Sequence, residues 1–180
     1  KANRPVDWFE EWDKQSNFKS DIIPWADLEP NPNLVEWINS KTISFFNGKK
    51  ILKVGCGLGD DSEYWSTYSH NVEAFDISPT AIEWCKKRFP NSLVKYFQAD
   101  LTKIDHSYYG QYDIVQESYT LQVITKEKRE KAIDNLSKLL RKDGVLILIC
   151  RGREKEDLEG DMPFPLLKSE FEGREEELKV

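Results

Sequence analysis

A glycine-rich loop directly after a short apolar run constrains the fold of this chain more than any other feature. Residues 50–54 predict a buried strand, and Gly55, Gly57 and Gly59 follow it at alternate positions. Glycine lets the backbone turn sharply and lets a ligand approach without a Cβ clash. The helix predicted over residues 60–68 begins here, so its free N–H groups face the same ligand. Taken alone, the loop is equally compatible with a tight turn that binds nothing.

Strand-like and helix-like segments alternate four times along the chain. Further strands are predicted at residues 71–75, 93–98, 112–116 and 145–150, and helices at residues 33–46, 79–89, 126–142 and 166–171. Ser78 and Pro79 are a cap and a first-turn proline, and Gly144 is a helix stop. The last strand is entirely apolar, as in strands buried on both faces of a parallel sheet. The pattern predicts an α/β fold: a Rossmann-like, doubly wound, mostly parallel sheet with helices on both faces.

Composition argues against several classes of function. The formal net charge is −6, so the chain repels phosphate backbones and nucleic acid is not expected as a partner. No apolar run approaches the roughly 20 residues needed to cross a bilayer, and no basic-then-apolar leader stands at the N-terminus, so no membrane partner is expected. The three cysteines form no CxxC pair, which favours buried free thiols and a cytoplasmic location. The two histidines lack a ligand neighbour, so no metal is expected.

Two aspartates close the strands that follow the glycine loop. Asp76 lies about 20 residues after the loop, where a carboxylate can accept both ribose hydroxyls. Its alternative role, capping the next helix, is already filled by Ser78. Asp100 can accept the adenine amino group or, alternatively, cap the turn over residues 101–105. Because the carboxyl ends of successive parallel strands share one crevice, the loop and both aspartates predict an adenosyl-binding site.

The residue after the third glycine distinguishes two classes of ligand. A dinucleotide-type GxGxxG motif that starts at Gly55 needs glycine at position 60, where this chain has Asp60. A carboxylate there repels a pyrophosphate but is tolerable beside a sulfonium or an ammonium. An adenosyl ligand with a cationic tail is therefore favoured over NAD, and an NAD-linked oxidoreductase is the less favoured alternative.

The same segments resemble the motifs of class I S-adenosylmethionine-dependent methyltransferases. Residues 51–59, 74–82, 98–101 and 112–117 resemble the first four motifs, and residues 140–146 resemble the segment before the fifth strand. The resemblance covers residues 50–153 and implies methyl transfer, with S-adenosylmethionine as cofactor and S-adenosylhomocysteine as product. The core residues that it implies for cofactor binding are Gly55, Cys56, Gly57, Asp60, Asp76, Ile77, Asp100, Leu101 and Glu117.

The flanks look like thiopurine-methyltransferase-like enzymes, which methylate small acceptors. Trp8, Trp12 and Trp25 resemble their N-terminal lead-in, and residues 161–166 resemble their proline-rich stretch. This resemblance implies a small-molecule acceptor, such as a thiol or another soft nucleophile. The length of the chain predicts one domain over residues 1–180. We expect it to comprise an N-terminal lead-in and helix that form a lid (1–48), a cofactor-binding core (49–153) and an acceptor-side tail (154–180). Trp12 and Trp25 are expected to cover the sulfonium by cation–π attraction, worth ~0.5–2 kcal/mol, or else to pack on the core.

Two side chains are candidates for the catalytic end of the site. Tyr119 and Arg151 leave the carboxyl ends of the fourth and fifth strands, where they are expected to face the acceptor. The alternative is solvent exposure or, for Arg151, an ion pair with the acidic residues of 154–157. A thiol acceptor needs no strong general base, because thiols are partly ionised near neutral pH.

The chain departs from the family pattern in three places. Lys53 stands where the family usually carries an acid that holds the methionine ammonium, and Asp60, Asp61 or Glu117 could replace that acid. Ser118 stands where thiopurine enzymes place an arginine. The strand hairpin that relatives add after the last helix is missing or incomplete. These departures motivate one alternative, a non-catalytic S-adenosylmethionine-binding regulatory protein. For the oligomeric state we expect a monomer or a weak homodimer.

Overall fold

The structure is a computed structural model that describes residues 27–158, 160 and 162–172 of the 180-residue chain. Its centre is a sheet of five parallel strands in the order β3-β2-β1-β4-β5. The strands are β1 (Ile51–Val54), β2 (Val72–Asp76), β3 (Lys95–Gln98), β4 (Tyr112–Ser118) and β5 (Leu140–Ile149). The strand order reverses between β1 and β4, which is the switch point where such sheets bind ligands. The predicted Rossmann-like fold is confirmed.

Within the described residues, four α-helices pack on the two faces of this sheet. They are α1 (Pro32–Asn39), α2 (Asp60–Ser66), α3 (Pro79–Arg88) and α4 (Lys126–Leu139). Side chains of α1, α2 and α3 form one core cluster on one face, and side chains of α4 form a second cluster on the other face. Successive residues of β1 supply both clusters, Ile51 the first and Leu52 the second. All four β1 residues are buried, as expected for a central parallel strand.

The helix predicted over residues 33–46 is two elements. The α1 helix ends at Asn39, and a separate 3-10 turn covers Ile43–Phe46. At the end of α1 the Ser40 hydroxyl donates to the carbonyl oxygen of Trp37 at 2.6 Å. Such local side-chain bonds compete with continued helix, and this competition was not visible in the apolar spacing.

The helix predicted to end at Lys142 ends three residues earlier. Leu140 instead pairs with Tyr112 at the start of β5, and the register shifts before Val145. A Cβ on Gly144 would lie 2.9 Å from the carbonyl oxygen of Arg141, so this glycine serves an irregular strand rather than a helix stop. Sheet pairing therefore overrode the helical spacing of the leucines.

The tail after β5 lies against the carboxyl end of the sheet. A short strand β6 (Gly152–Arg153) pairs in parallel with β7 (Leu166–Leu167), and a 3-10 turn follows at Lys168–Glu170. The predicted helix over residues 166–171 is therefore wrong, because its first two residues pair with β6. None of the helices described has both the length and the apolar composition to span a bilayer.

Candidate functional site

The glycine loop joins β1 to α2 in a left-handed backbone conformation. Gly55, Gly57 and Gly59 have φ values of 61°, 52° and 95°. A Cβ on Gly55 would lie 1.9 Å from Oγ1 of Thr120, and a Cβ on Gly59 would lie 2.8 Å from the Tyr96 hydroxyl. Both conformation and close packing therefore require glycine here. Thr120, on the turn after β4, was missed because nothing in the sequence pairs it with the loop.

Asp76 fixes the loop to the end of β2. One carboxylate oxygen accepts the Gly57 N–H at 3.0 Å, and the other accepts the Ser78 N–H at 3.0 Å. Ser78 accepts the Ala81 N–H and caps α3, as predicted. These bonds hold the Asp76 carboxylate at the carboxyl end of β2, beside the glycine loop. The neighbouring Ile77 side chain is 54% exposed.

Asp100 caps the turn that follows β3. Its Oδ1 accepts the Thr102 N–H at 2.8 Å and the Thr102 hydroxyl at 2.7 Å, beside the buried Leu101. Capping this turn is the alternative role that the sequence allowed for Asp100. Its contact with an adenine amino group stays a prediction.

Asp60 forms a two-point ion pair with Arg88 on α3. The guanidinium nitrogens lie 2.8 and 2.9 Å from the two carboxylate oxygens, and Arg88 also donates to the carbonyl oxygen of Leu58 at 2.6 Å. Arg88 therefore neutralises Asp60, and the repulsion of a pyrophosphate expected from Asp60 alone is weakened. No local pattern around Asp60 indicates a partner 28 residues away.

Lys53 is buried beneath the loop and is fully engaged by protein atoms. Its ammonium donates to the carbonyl oxygens of Val54 at 3.0 Å and Gly55 at 3.3 Å. The same nitrogen lies 3.7 Å from Oδ2 of Asp61, at the start of α2. Because a buried charge is costly unless it is paired and hydrogen-bonded, these contacts explain how lysine is accommodated at an acidic position of the family.

Asp61 links three parts of the chain. Besides the Lys53 contact, it accepts the Asn31 N–H at 2.8 Å and the side-chain amide of Gln116 at 2.9 Å. Its two oxygens therefore connect the segment before α1, β1 and β4. The side chain of Asp61 is committed to the protein scaffold.

Glu117, near the end of β4, is completely buried. Its Oε1 accepts the N–H groups of Thr120 and Leu121 and so supports the turn after the strand. Its Oε2 has no hydrogen-bond partner in the part of the chain that the structure describes. Burial raises the pKa of Glu117, and the positive charge of Lys53 opposes this rise only in part.

The two predicted catalytic residues have different environments. Tyr119 lies at the carboxyl end of the sheet with a φ of 61° and a 44% exposed side chain. Arg151 instead donates to the carbonyl oxygen of Pro163 at 2.6 Å and holds the tail in place. Its backbone N–H donates to the side chain of Gln122 at 2.8 Å, and the Gln122 amide donates to the carbonyl oxygen of Phe164 at 2.9 Å. Gln122 was not among the predicted site residues, although a polar residue inside the apolar run 121–124 is a signal of such a role.

The cysteines are free thiols, as predicted. Cys56 in the loop is hydrogen-bonded to Cys85 of α3, and this bond together with burial raises the pKa of the Cys56 thiol. The Cys85 sulfur also donates to the carbonyl oxygen of Gly57 at 3.1 Å. The pair therefore packs the loop against α3.

Trp8, Trp12 and Trp25 lie outside the described residues, so their predicted roles stay predictions. Across the described ranges, no cluster of three or more histidine, cysteine or acidic side chains is arranged to hold a metal ion.

Comparison with known proteins identifies the family. The methyltransferase domain family matches residues 51–144, which is more than half of the chain. The chain belongs to this family. The match runs from β1 into the start of β5 and includes the glycine loop, Asp76, Asp100 and Glu117. The narrower likeness to thiopurine-methyltransferase-like enzymes stays a prediction.

Two relatives illustrate the range of acceptors in similar proteins. The chain is 34% identical over 113 residues to a mouse tRNA N(3)-cytidine methyltransferase, covering 58% of this chain and 29% of that protein. It is 32% identical over 106 residues to a ubiquinone biosynthesis O-methyltransferase of Pseudomonas aeruginosa, covering 58% of this chain and 42% of that protein. The chain thus spans less than half of the length of both relatives.

Solved structures share the fold at lower identity. A TehB-like S-adenosylmethionine-dependent methyltransferase from Corynebacterium glutamicum has a TM-score of 0.57 and 23% identity, over 78% of this chain and 71% of that one. Magnesium protoporphyrin IX methyltransferase from Synechocystis, solved with bound S-adenosylhomocysteine, has a TM-score of 0.62 and 19% identity, over 77% and 66% of the two chains. At these identities the likeness shows the fold alone.

Proposed function

We propose that this protein is an S-adenosylmethionine-dependent methyltransferase that acts on a small-molecule acceptor. The observation that carries the proposal is the bond from the Gly57 N–H to Asp76, which fixes the glycine loop to β2 beside the switch point of the sheet. In a member of the methyltransferase-domain family, this is the place where an adenosyl ligand is expected.

The residues around the loop fit such a cofactor. Asp76 ends β2 beside the loop, where a carboxylate can accept the ribose hydroxyls, and Asp100 lies after the neighbouring strand for the adenine. The unpartnered oxygen of Glu117 is a buried polar atom that a bound group can complete. When bound, S-adenosylmethionine supplies an activated methyl group on a positively charged sulfur. The chain's own task is to orient the acceptor, which can lower a barrier by ~7–11 kcal/mol when alignment is good.

The acceptor is proposed to be a small molecule such as a thiol or another soft nucleophile. Exposed Tyr119 lies at the carboxyl end of β4, where an acceptor would enter. The net charge of −6 disfavours a nucleic-acid acceptor, and one relative is an O-methyltransferase of ubiquinone biosynthesis. We further propose that residues 1–180 form a single domain, with Trp12 and Trp25 in a lid over residues 1–48. Cytoplasmic location and a monomeric or weakly dimeric state belong to the same proposal.

Calorimetry with S-adenosylmethionine and S-adenosylhomocysteine tests the cofactor. We expect micromolar binding that Asp76→Ala abolishes, because the variant removes the ribose acceptor and the bond to Gly57. Asp105→Ala is the matched control, since Asp105 loses the same charge but caps a distant turn through the Ser107 N–H. Absence of binding of both ligands to the unaltered protein would rule out the proposal.

A panel of thiols, phenols, halides and metalloid oxyanions tests the reaction. Methylation of any member, detected by release of S-adenosylhomocysteine, supports an enzyme. Binding of the cofactor with no turnover across the panel favours the non-catalytic regulatory alternative.

A further inference from the structure

We infer that Glu117 supplies the carboxylate for the ammonium group at the amino-acid end of the cofactor, in place of the acid that Lys53 replaces. This inference rests on the proposed function and deepens it by naming a specificity-determining residue. It follows from the partners of each acid near the glycine loop, from the unsatisfied oxygen of Glu117, and from the position of that residue.

The other two acids that could fill this role are already committed. Both carboxylate oxygens of Asp60 bond the Arg88 guanidinium, at 2.8 and 2.9 Å. Asp61 is held by the Gln116 amide at 2.9 Å and by the Lys53 ammonium at 3.7 Å. Each of these two carboxylates is therefore already paired with a cation of the protein, Arg88 or Lys53. The sequence left Asp60, Asp61 and Glu117 as candidates for binding the ammonium group, and these contacts favour Glu117.

Glu117 is exceptional among the buried acids described. Glu73 accepts the Tyr112 hydroxyl at 2.6 Å and lies 3.2 Å from the Lys95 ammonium. Asp113 accepts the Lys50 N–H at 2.7 Å. By contrast, Oε2 of Glu117 has no hydrogen-bond partner in the described ranges although the residue is completely buried. A buried carboxylate oxygen without a donor is costly, so a missing donor is the expected explanation.

The position of Glu117 places it beside the loop. It is the register partner of Val54, the residue that precedes Gly55. Its Oε1 holds the N–H of Thr120, whose side chain packs directly against Gly55. Because Glu117 has no exposed surface, contact with a ligand requires the turn over residues 118–121 to shift as the ammonium enters. That turn includes Tyr119, a non-glycine residue in the left-handed region.

The charges around Glu117 give the inference a second signature. Among the described residues, Lys53 and Cys150 are the titratable groups that interact with Glu117 electrostatically. Burial outweighs Lys53 and raises the pKa of Glu117. An arriving ammonium favours the ionised carboxylate and lowers this pKa again. Binding of a ligand that carries the ammonium should therefore release protons through Glu117.

The test compares two ligands that differ only at the amino-acid end. S-adenosylhomocysteine carries the ammonium, whereas methylthioadenosine keeps the adenosyl group and lacks it. We expect Glu117→Gln to weaken S-adenosylhomocysteine binding by about 10- to 100-fold and to leave methylthioadenosine binding within about twofold. Glu83→Gln, the same change at an exposed glutamate of α3, should leave both affinities unchanged. Calorimetry in two buffers of different ionisation enthalpy should show proton release for the unaltered protein and not for Glu117→Gln.

The outcomes separate this inference from the proposed function. Equal weakening of both ligands by Glu117→Gln would assign Glu117 a purely structural role and overturn the inference. Unchanged binding of S-adenosylhomocysteine would also overturn it, while leaving the cofactor assignment intact. Failure of the unaltered protein to bind either ligand would overturn the proposed function and the inference together.

Discussion

At Gly55 the loop passes so close to the turn after β4 that only a hydrogen atom fits in the Cβ position. Thr120 occupies the space that a methyl group would need, and φ is 61°. Gly48 has a similar φ of 71° but no atom within 4 Å of its Cβ position. Substitutions at these two glycines therefore separate the free-energy cost of the backbone conformation from the free-energy cost of a steric clash.

We predict that Gly55→Ala costs about 2–5 kcal/mol of unfolding free energy and abolishes cofactor binding. The left-handed conformation contributes about 1–2 kcal/mol, and the clash with Thr120 contributes about 1–3 kcal/mol. Urea unfolding measures the loss, and Gly48→Ala should show only the first contribution. A Thr120→Ala change in the Gly55→Ala background should recover part of the stability. Equal losses in the two single alanine variants would contradict this account of the loop.

The protonation of Glu117 predicts how stability changes with pH. Because the folded-state pKa is raised by burial, the folded protein binds more protons than the unfolded chain. The protonated Glu117 carboxyl therefore stabilises the folded state. This stabilisation is fully present below the pKa of the unfolded state, about 4.3, and is lost as the pH rises through the pKa of the folded state. Without ligand, Glu117→Gln should therefore gain stability relative to the unaltered protein between pH 5 and pH 8. Urea unfolding at both pH values measures the difference in unfolding free energy between the two proteins. If this difference does not change with pH, the pKa of Glu117 is not raised in the folded protein.

At the scale of elements, the tail is joined to the site through α4. Arg129 is buried on α4, donates to the carbonyl oxygens of Leu121 and Ile124, and pairs with Glu170 at 2.9 Å. These bonds connect the turn after β4 to the 3-10 turn that follows β7. A buried cation therefore anchors the tail in addition to its short strand pair.

We predict that Arg129→Leu lowers the unfolding free energy by about 3–5 kcal/mol, the usual result of removing one partner of a buried ion pair. It also leaves the two carbonyl oxygens without their donor. Lys128→Leu, at an exposed position of the same helix, should change the unfolding free energy by less than about 0.5 kcal/mol. Thermal and urea unfolding compare the variants, and limited proteolysis should cut residues 162–172 faster in Arg129→Leu. An unchanged cleavage rate would argue against the proposed anchoring of the tail.

At the scale of the whole molecule, the acidic charge bears on the class of acceptor. With a net charge of −6, the chain as a whole repels the phosphate backbone of a nucleic acid. One relative nevertheless acts on tRNA, so the distinction needs a direct measurement.

We predict no binding of tRNA at 50 mM salt, together with marked stabilisation by S-adenosylhomocysteine. At a concentration of 100 times Kd, the ligand should add about 2.7 kcal/mol, visible as a rise in Tm. Fluorescence polarisation with labelled tRNA measures the first part, with a basic RNA-binding protein as positive control. Tight binding that weakens steeply with salt would instead indicate a nucleic-acid acceptor.

Much of the fold could be predicted because its signals are local. The apolar run before Gly55, the Ser78–Pro79 helix start and the apolar strand near Ile149 each depend on neighbouring residues. Element boundaries were less predictable where a distant strand intervened, as at Leu140, which pairs with Tyr112 instead of continuing α4. The same limit applies to Leu166, which pairs with Gly152.

The sequence by itself determined the order of strand, loop and helix, and it placed Asp76 at the end of β2. Only the tertiary structure decided which acids are free, because Asp60 meets Arg88 and Asp61 meets Asn31 and Gln116 across long separations in the chain. Hydrophobic spacing and caps act within a few residues of each other. Ion pairs and buried hydrogen bonds depend on which strands become neighbours, and that choice is made by the whole sheet.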